Sequence, residues 1–123
     1  MYRILIADDS NYMRETLHDI LHEAGHEVIG EAINGSNAVE IYKILLPDIV
    51  MMDMTMPAET GIEALKKIIE INANAVVIML TVVGKPENVL EAVNAGARSY
   101  LTKPFDASGV LNAIKQATVG ILT

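Results

Sequence analysis

Asp48-Ile49-Val50-Met51-Met52-Asp53 decides the reading of this chain. Four apolar residues stand between two acids with no polar alternation. A short unbroken apolar run suits a strand covered on both faces, as in a parallel sheet. Met54-Thr55-Met56-Pro57 follows at once, and Pro57 disfavours any continuation of regular structure. Asp53 is therefore a carboxylate placed where an interior strand opens into a loop. In open α/β sheets that rim is where ligands and chemistry sit. Taken alone, the stretch is better read as an acid that ends a strand and faces water. The rest of the chain overturns that reading.

Upstream, Arg3 to Ala7 reads as a first strand, followed by Asp8-Asp9-Ser10. Ser10 or Asp9 can cap the next helix. Met13, Leu17, Ile20, Leu21 and Ala24 share one face of it at helical spacing, and Gly25 ends it. Glu27 to Ile33 is a second strand. Asn34-Gly35-Ser36 turns into a helix with Ala38, Tyr42 and Leu45 inward, which Pro47 stops. Downstream of Pro57, Ala58-Glu59-Thr60-Gly61 leads to a helix with Ile62, Leu65 and Ile69 inward. Asn72-Ala73-Asn74 is a loop, and Val76 to Thr81 is a β-branched, apolar fourth strand. Gly84-Lys85-Pro86 opens a short helix with Val89, Ala92 and Val93 inward, terminated by Gly96. Arg98 to Thr102 is a fifth strand, and a last helix runs from about Ala107 to Thr118 with Val110, Leu111 and Ile114 inward. The apolar tail Val119 to Thr123 either extends that helix or marks where a longer parent was cut. Strand and helix alternate five times with short connections. That order implies an α/β fold, a five-stranded parallel sheet with helices on both faces.

Composition narrows the function classes. At 123 residues the chain is expected to be one domain, 1–123, with 51% hydrophobic residues to fill its core. Without Cys there is neither a disulfide framework nor a thiolate ligand or nucleophile, which fits the cytoplasm. The first apolar run meets two acids almost immediately, unlike a signal peptide. The longest strongly apolar stretch, Ala75 to Leu80, is too short to span a bilayer, so no membrane insertion is expected. A net charge of −7 argues against nucleic acid as a direct partner and favours cations or basic protein patches.

All strands of a parallel sheet share one C-terminal rim. The first strand delivers Asp8 and Asp9 there, the third Asp53, the fourth Thr81, and the fifth Lys103, followed by Pro104. Carboxylates this close repel one another, and a divalent cation removes that cost. Oxygen ligands suit a hard ion, and Mg²⁺ takes one or two carboxylates while keeping waters. An acid nucleophile, a metal, an ammonium and a hydroxyl together form a phosphoryl-transfer kit. Singly, each residue has an ordinary role as cap, strand filler or solvated side chain. Jointly they fall on one rim in a single topology.

The set Asp8-Asp9, Asp53, Thr81 and Lys103-Pro104 closely resembles the receiver domain of two-component response regulators, over essentially the whole chain. The segment Asp8 to Arg14 looks most like the stand-alone chemotaxis regulators. The resemblance implies a flavodoxin-like sheet of order 2-1-3-4-5. It implies that Asp53 accepts a phosphoryl group from a phosphohistidine of a sensor histidine kinase. Asp9, Asp53 and the main-chain carbonyl of Thr55 would bind Mg²⁺ directly, and Asp8 through water. Lys103 would hold a phosphoryl oxygen beside a cis peptide bond to Pro104. Thr81 and Tyr100 would be the switch, and Glu87, Glu91, Asn94 and Arg98 would frame a site for a downstream protein target. Such a protein acts as a monomer or a phosphorylation-dependent dimer and turns over no outside substrate.

The chain departs from the family in places. Thr60 stands where Asp or Asn often precedes the Gly of that loop, and Thr is a poorer turn residue. Val82 stands where Ala is common, which is expected to narrow access to the acyl phosphate. Thr55 and Val83 occupy variable positions that influence phosphoryl lifetime. Competing readings remain weaker. A Mg²⁺-dependent phosphatase usually carries a second Asp two residues after its nucleophile, where this chain has Thr55. A receiver cut from a longer DNA-binding regulator is a further alternative, whose output domain is not within these 123 residues. His22-Glu23-Ala24-Gly25-His26 matches the zinc-protease pattern, but Gly25 is expected to leave His26 outside the helix. His18 and His22 read as a solvated face. Met51, Met52, Met54 and Met56 read as core before they read as a soft binding surface.

Overall fold

The computed structural model describes residues 1–82 and 86–119. Ten elements alternate without exception: β1 (Arg3–Ala7), α1 (Asn11–Glu23), β2 (Glu27–Ala32), α2 (Gly35–Leu45), β3 (Ile49–Asp53), α3 (Gly61–Ile71), β4 (Val77–Val82), α4 (Pro86–Asn94), β5 (Ser99–Lys103) and α5 (Ala107–Thr118). The strands form one parallel sheet of order β2-β1-β3-β4-β5. β3 is central and every one of its residues is buried.

Alternation along the strands divides the core in two. Leu5, Ala7, Val50, Met52, Val77 and Met79 face α2, α3 and α4. Ile4, Ile6, Ile49, Met51, Ile78 and Leu80 face α1 and α5. Met51 and Met52 are fully buried on opposite faces, and Met54 and Met56 are buried in the loop after β3. All four methionines are therefore core.

Helix phases differ from the expected ones in four helices. Val93 and Leu111 are 51% and 40% exposed, while Ala92, Ala113 and Ala117 are buried. In α3, Ile68 is fully buried and Ile69 only partly. Small alanines let α4 and α5 sit close to the sheet, so the larger neighbours turn outward. On α1, Leu17 and Leu21 are buried, whereas Ala24 caps the helix and is exposed. Val119 leaves α5 with ψ 127, so the helix is not continued there. Residues 120–123 and the loop at Val83, Gly84 and Lys85 lie outside the described residues.

Caps set the helix starts. The side chains of Ser10, Asn34, Thr60 and Asp106 accept main-chain N–H groups of the first turn of α1, α2, α3 and α5. Thr60 is not a weak turn residue but a helix cap. Its hydroxyl accepts the Glu63 N–H at 3.2 Å, and the Glu63 carboxylate accepts the Thr60 N–H at 3.2 Å. The Thr60 N–H and hydroxyl, both donating to the Glu63 carboxylate, lower its pKa.

Two glycines let the loop after β3 close on its surroundings. A Cβ on Gly61 would overlap the carbonyl oxygen of Asp53, and one on Gly35 would overlap that of Glu59. The Gly61 N–H donates to Met54 O and the Gly35 N–H to Glu59 O, each at 3.1 Å. Gly61→Ala must push backbone aside at the residue that ends β3. We expect it to lose about 3 kcal/mol of stability in urea denaturation, the range of overpacked sites.

Candidate functional site

Parallel register assembles the rim. Ala7 is level with Met52 across the β1–β3 pair, so Asp8 emerges beside Asp53. Asp53 is level with Leu80, and Thr81 lies one residue further along β4. Val82 is level with Lys103, which ends β5. One carboxylate oxygen from each of Asp8, Asp9 and Asp53 lies within 4.8 Å of the others.

The three acids are held differently. Asp8 is fully buried: Oδ1 accepts the Ser10 N–H at 2.9 Å and Oδ2 accepts the Lys103 ammonium at 2.9 Å. Asp53 is 8% exposed, and its Oδ1 accepts the Thr55 N–H at 3.3 Å, with Lys103 Nζ at 3.4 Å. Among the described residues nothing donates to Asp53 Oδ2. Asp9 is exposed, and no cationic group of the described residues lies within 4.0 Å of its carboxylate. Thr81 is 4% exposed, and its hydroxyl has no partner among the described residues. A buried hydroxyl without a partner costs about 1–3 kcal/mol, so this one awaits an acceptor or donor.

Charge follows from this geometry. Burial and the neighbouring Asp8 carboxylate push the Asp53 pKa up to about 6, with Lys103 and the Thr55 N–H pulling the other way. Burial pulls the Lys103 ammonium down, but the Asp8 hydrogen bond and the charges of Asp53 and Asp8 outweigh it and leave its pKa raised. Three acids against one ammonium leave negative charge uncancelled. An all-oxygen donor set of that charge fits a hard divalent cation such as Mg²⁺.

A sequence profile of the response regulator receiver domain matches residues 4–115. The chain belongs to that family. It is 48% identical over 116 residues to the chemotaxis protein CheY of Thermotoga maritima, covering 94% of this chain and 97% of that one. It is 49% identical to the chemotaxis protein CheY of Bacillus subtilis, covering 94% and 96%. In structure it is similar to a chain of the CheX-CheY-BeF3-Mg²⁺ complex from Borrelia burgdorferi, with a TM-score of 0.88, 35% identity and coverage of 99% and 90%. The receiver is a phosphorylation-driven signalling domain of CheY type that catalyses only its own phosphorylation and dephosphorylation. No helix of the described residues is long and apolar enough to cross a membrane.

The remaining expected residues of the receiver fall as follows. Thr55 is exposed beside Asp53, and the peptide bond from Lys103 to Pro104 is cis. Tyr100 is 47% exposed, between buried Ser99 and Leu101. Glu87, Glu91 and Asn94 line a groove of about 390 Å³ with Lys66, Leu90 and Ala95. Arg98 does not join that lining; its guanidinium reaches Asn74 O at 3.5 Å. Val82 is 48% exposed at the end of β4. His22 ends in α1, while His26 lies outside it, stacks on Tyr2 and accepts the Tyr2 N–H at 3.1 Å. Burial and the N-terminal charge lower the His26 pKa. The zinc-protease pattern is therefore accidental.

Two contributors escaped the sequence reading. Gly61 makes room for the Asp53 carbonyl, and Arg14 donates to the Asp8 carbonyl at 2.7 Å. A cation in the first turn after paired acids was the available clue for Arg14.

A raised acid pKa means that the native state holds its proton longer than the unfolded state. Stability then falls as pH climbs from about 4 to about 6 and stays lower above that. In EDTA, the advantage of Asp53→Asn over the wild type should grow by about 2 kcal/mol between pH 4 and pH 7. Urea denaturation at the two pH values measures it.

Proposed function

We propose that Asp53 is the phosphorylated residue and that residues 1–123 form one receiver domain acting in a chemotaxis-type pathway of the cytoplasm. One observation carries this reading: a buried carboxylate with one unengaged oxygen sits on the same rim as a shared ammonium and an unpartnered buried hydroxyl. The donor would be a phosphohistidine of a sensor histidine kinase. As the O–P bond to Asp53 forms, the N–P bond to the histidine breaks. At pH 7 an Asp53 with a pKa of about 6 is mostly ionised and can attack.

Asp9, Asp53 and the Thr55 carbonyl would hold Mg²⁺ directly. Asp8, with both carboxylate oxygens already engaged, would act through water. When bound, Mg²⁺ supplies positive charge to the phosphoryl oxygens and relieves the repulsion among the acids. Lys103 and the Thr81 hydroxyl would take the other phosphoryl oxygens.

Acetyl phosphate with Mg²⁺ should convert Asp53 to an acyl phosphate, found by intact mass and peptide mapping. Asp53→Asn should abolish the adduct, and Asp9→Ala should weaken Mg²⁺ dependence. Phosphate on a Ser, Thr or His of the wild type, with Asp53 unmodified, sinks the proposal.

The switch would run from Thr81 to Tyr100. Movement of the Thr81 hydroxyl to the phosphoryl oxygen would vacate space for the Tyr100 ring to turn inward. The face of α4, β5 and α5, flanked by Glu87, Glu91, Asn94 and Arg98, would then change its fit to a downstream protein target. A ligand shifts two states only if it binds them unequally, and the Thr81 bond is the proposed inequality. Thr81→Ala should still phosphorylate while its Tyr100 NMR shift on adding beryllofluoride shrinks. An identical Tyr100 response in both proteins would rule the coupling out.

A further inference from the structure

Every polar group of Asp8 is engaged. Its N–H donates to Ala32 O at 3.0 Å, its carboxylate takes Ser10 and Lys103, and its carbonyl takes Arg14 Nη1 at 2.7 Å. Asp9 has no comparable tether: its carboxylate receives no hydrogen bond among the described residues. The aim of that carboxylate therefore depends on the backbone that carries it. The peptide leading into Asp9 is the one whose oxygen Arg14 holds.

Arg14 is itself well fixed. It lies in the first turns of α1, and its side chain is 13% exposed. Nε donates to Glu31 Oε1 on β2 at 3.0 Å, and Nη2 donates to Asn11 Oδ1 at 3.1 Å. Three elements thus meet on one planar group: the end of β1, the start of α1 and the edge strand β2. A guanidinium can hold three acceptors in fixed directions, and an ammonium cannot reproduce that fork.

We infer that Arg14 is a positioning residue of the receiver site, fixing the Asp8–Asp9 peptide and through it the reach of the Asp9 carboxylate toward a divalent cation. This rests on the proposal that Asp9 is a direct ligand. Glu31 offsets the guanidinium charge at 3.0 Å, so loss of Arg14 does not simply relieve repulsion of a cation. A plain exposed ion pair contributes little beyond stability. A group that orients a metal ligand changes affinity about 10–100-fold when removed.

The test is Mg²⁺ titration of the full chain, followed by backbone amide NMR shifts, with melting temperature in EDTA measured alongside. Arg14→Ala should raise the Mg²⁺ Kd about tenfold while remaining folded. Arg14→Lys, which keeps the charge, should recover little of that loss. If Asp9→Ala leaves the wild-type Kd unchanged, the direct-ligand reading fails first. If Asp9→Ala weakens binding but Arg14→Ala binds as well as wild type or better, the inference is overturned. Wild-type affinity in Arg14→Lys overturns it too, because charge and not the fork would then suffice. Should Arg14→Ala fail to fold, Arg14→Lys decides alone.

Discussion

One contact closes the rim. Lys103 Nζ meets Asp8 Oδ2 at 2.9 Å across 95 positions of the sequence. Its second neighbour is Asp53 Oδ1 at 3.4 Å, so the ends of β1, β3 and β5 share one ammonium. This is poor material for stability, because desolvating a buried pair offsets most of its attraction. The charges do not cancel either, and Asp53 remains displaced to about 6. The fold tolerates an electrostatic cost at this rim and recovers it from apolar layers elsewhere.

Those layers explain why the rim is rigid enough to hold acids together. β3 is buried on both faces, with Met51 and Met52 fully covered. Its register with β1 and β4 therefore cannot slip by one residue without moving apolar side chains to the wrong face. The loop after β3 is tied to α2 through Gly35, and its first residue, Met54, to α3 through Gly61. The Glu59 carboxylate, buried in that loop, is matched by Lys67 at 2.7 Å, which raises the lysine pKa. Rigidity thus comes from packing and close approach.

The element order and the rim residues were legible because they depend on patterns local in sequence. Asp48 to Asp53 reads as a buried strand whatever surrounds it. Parallel topology then sends Asp8, Asp53, Thr81 and Lys103 to one edge. The details that were not legible depend on contacts between distant segments. Val93 and Leu111 fall on the inward stripe by spacing, yet both are exposed while Ala92, Ala113 and Ala117 are buried. Thr60 looked like a defective turn because its partner, Glu63, acts only once the helix exists. The role of Arg14 depends on β2 bringing Glu31 beside it, which no local pattern shows.

Two local costs then bear on the same event. The Thr81 hydroxyl is buried without a partner, and Asp53 carries a carboxylate that its surroundings disfavour. Opposite remedies would serve them singly: a hydrogen-bond partner for the hydroxyl, and neutralisation for the acid. On the proposed reading, a phosphoryl group on Asp53 together with a divalent cation supplies both at once. The new oxygen gives Thr81 an acceptor, and the cation balances the added charge. Relief of the hydroxyl is available only in the conformation where Thr81 reaches the phosphate. Its worth therefore falls on one state and not the other, which is the condition for a population shift. The apo site is costly in the places where the modified one would be satisfied.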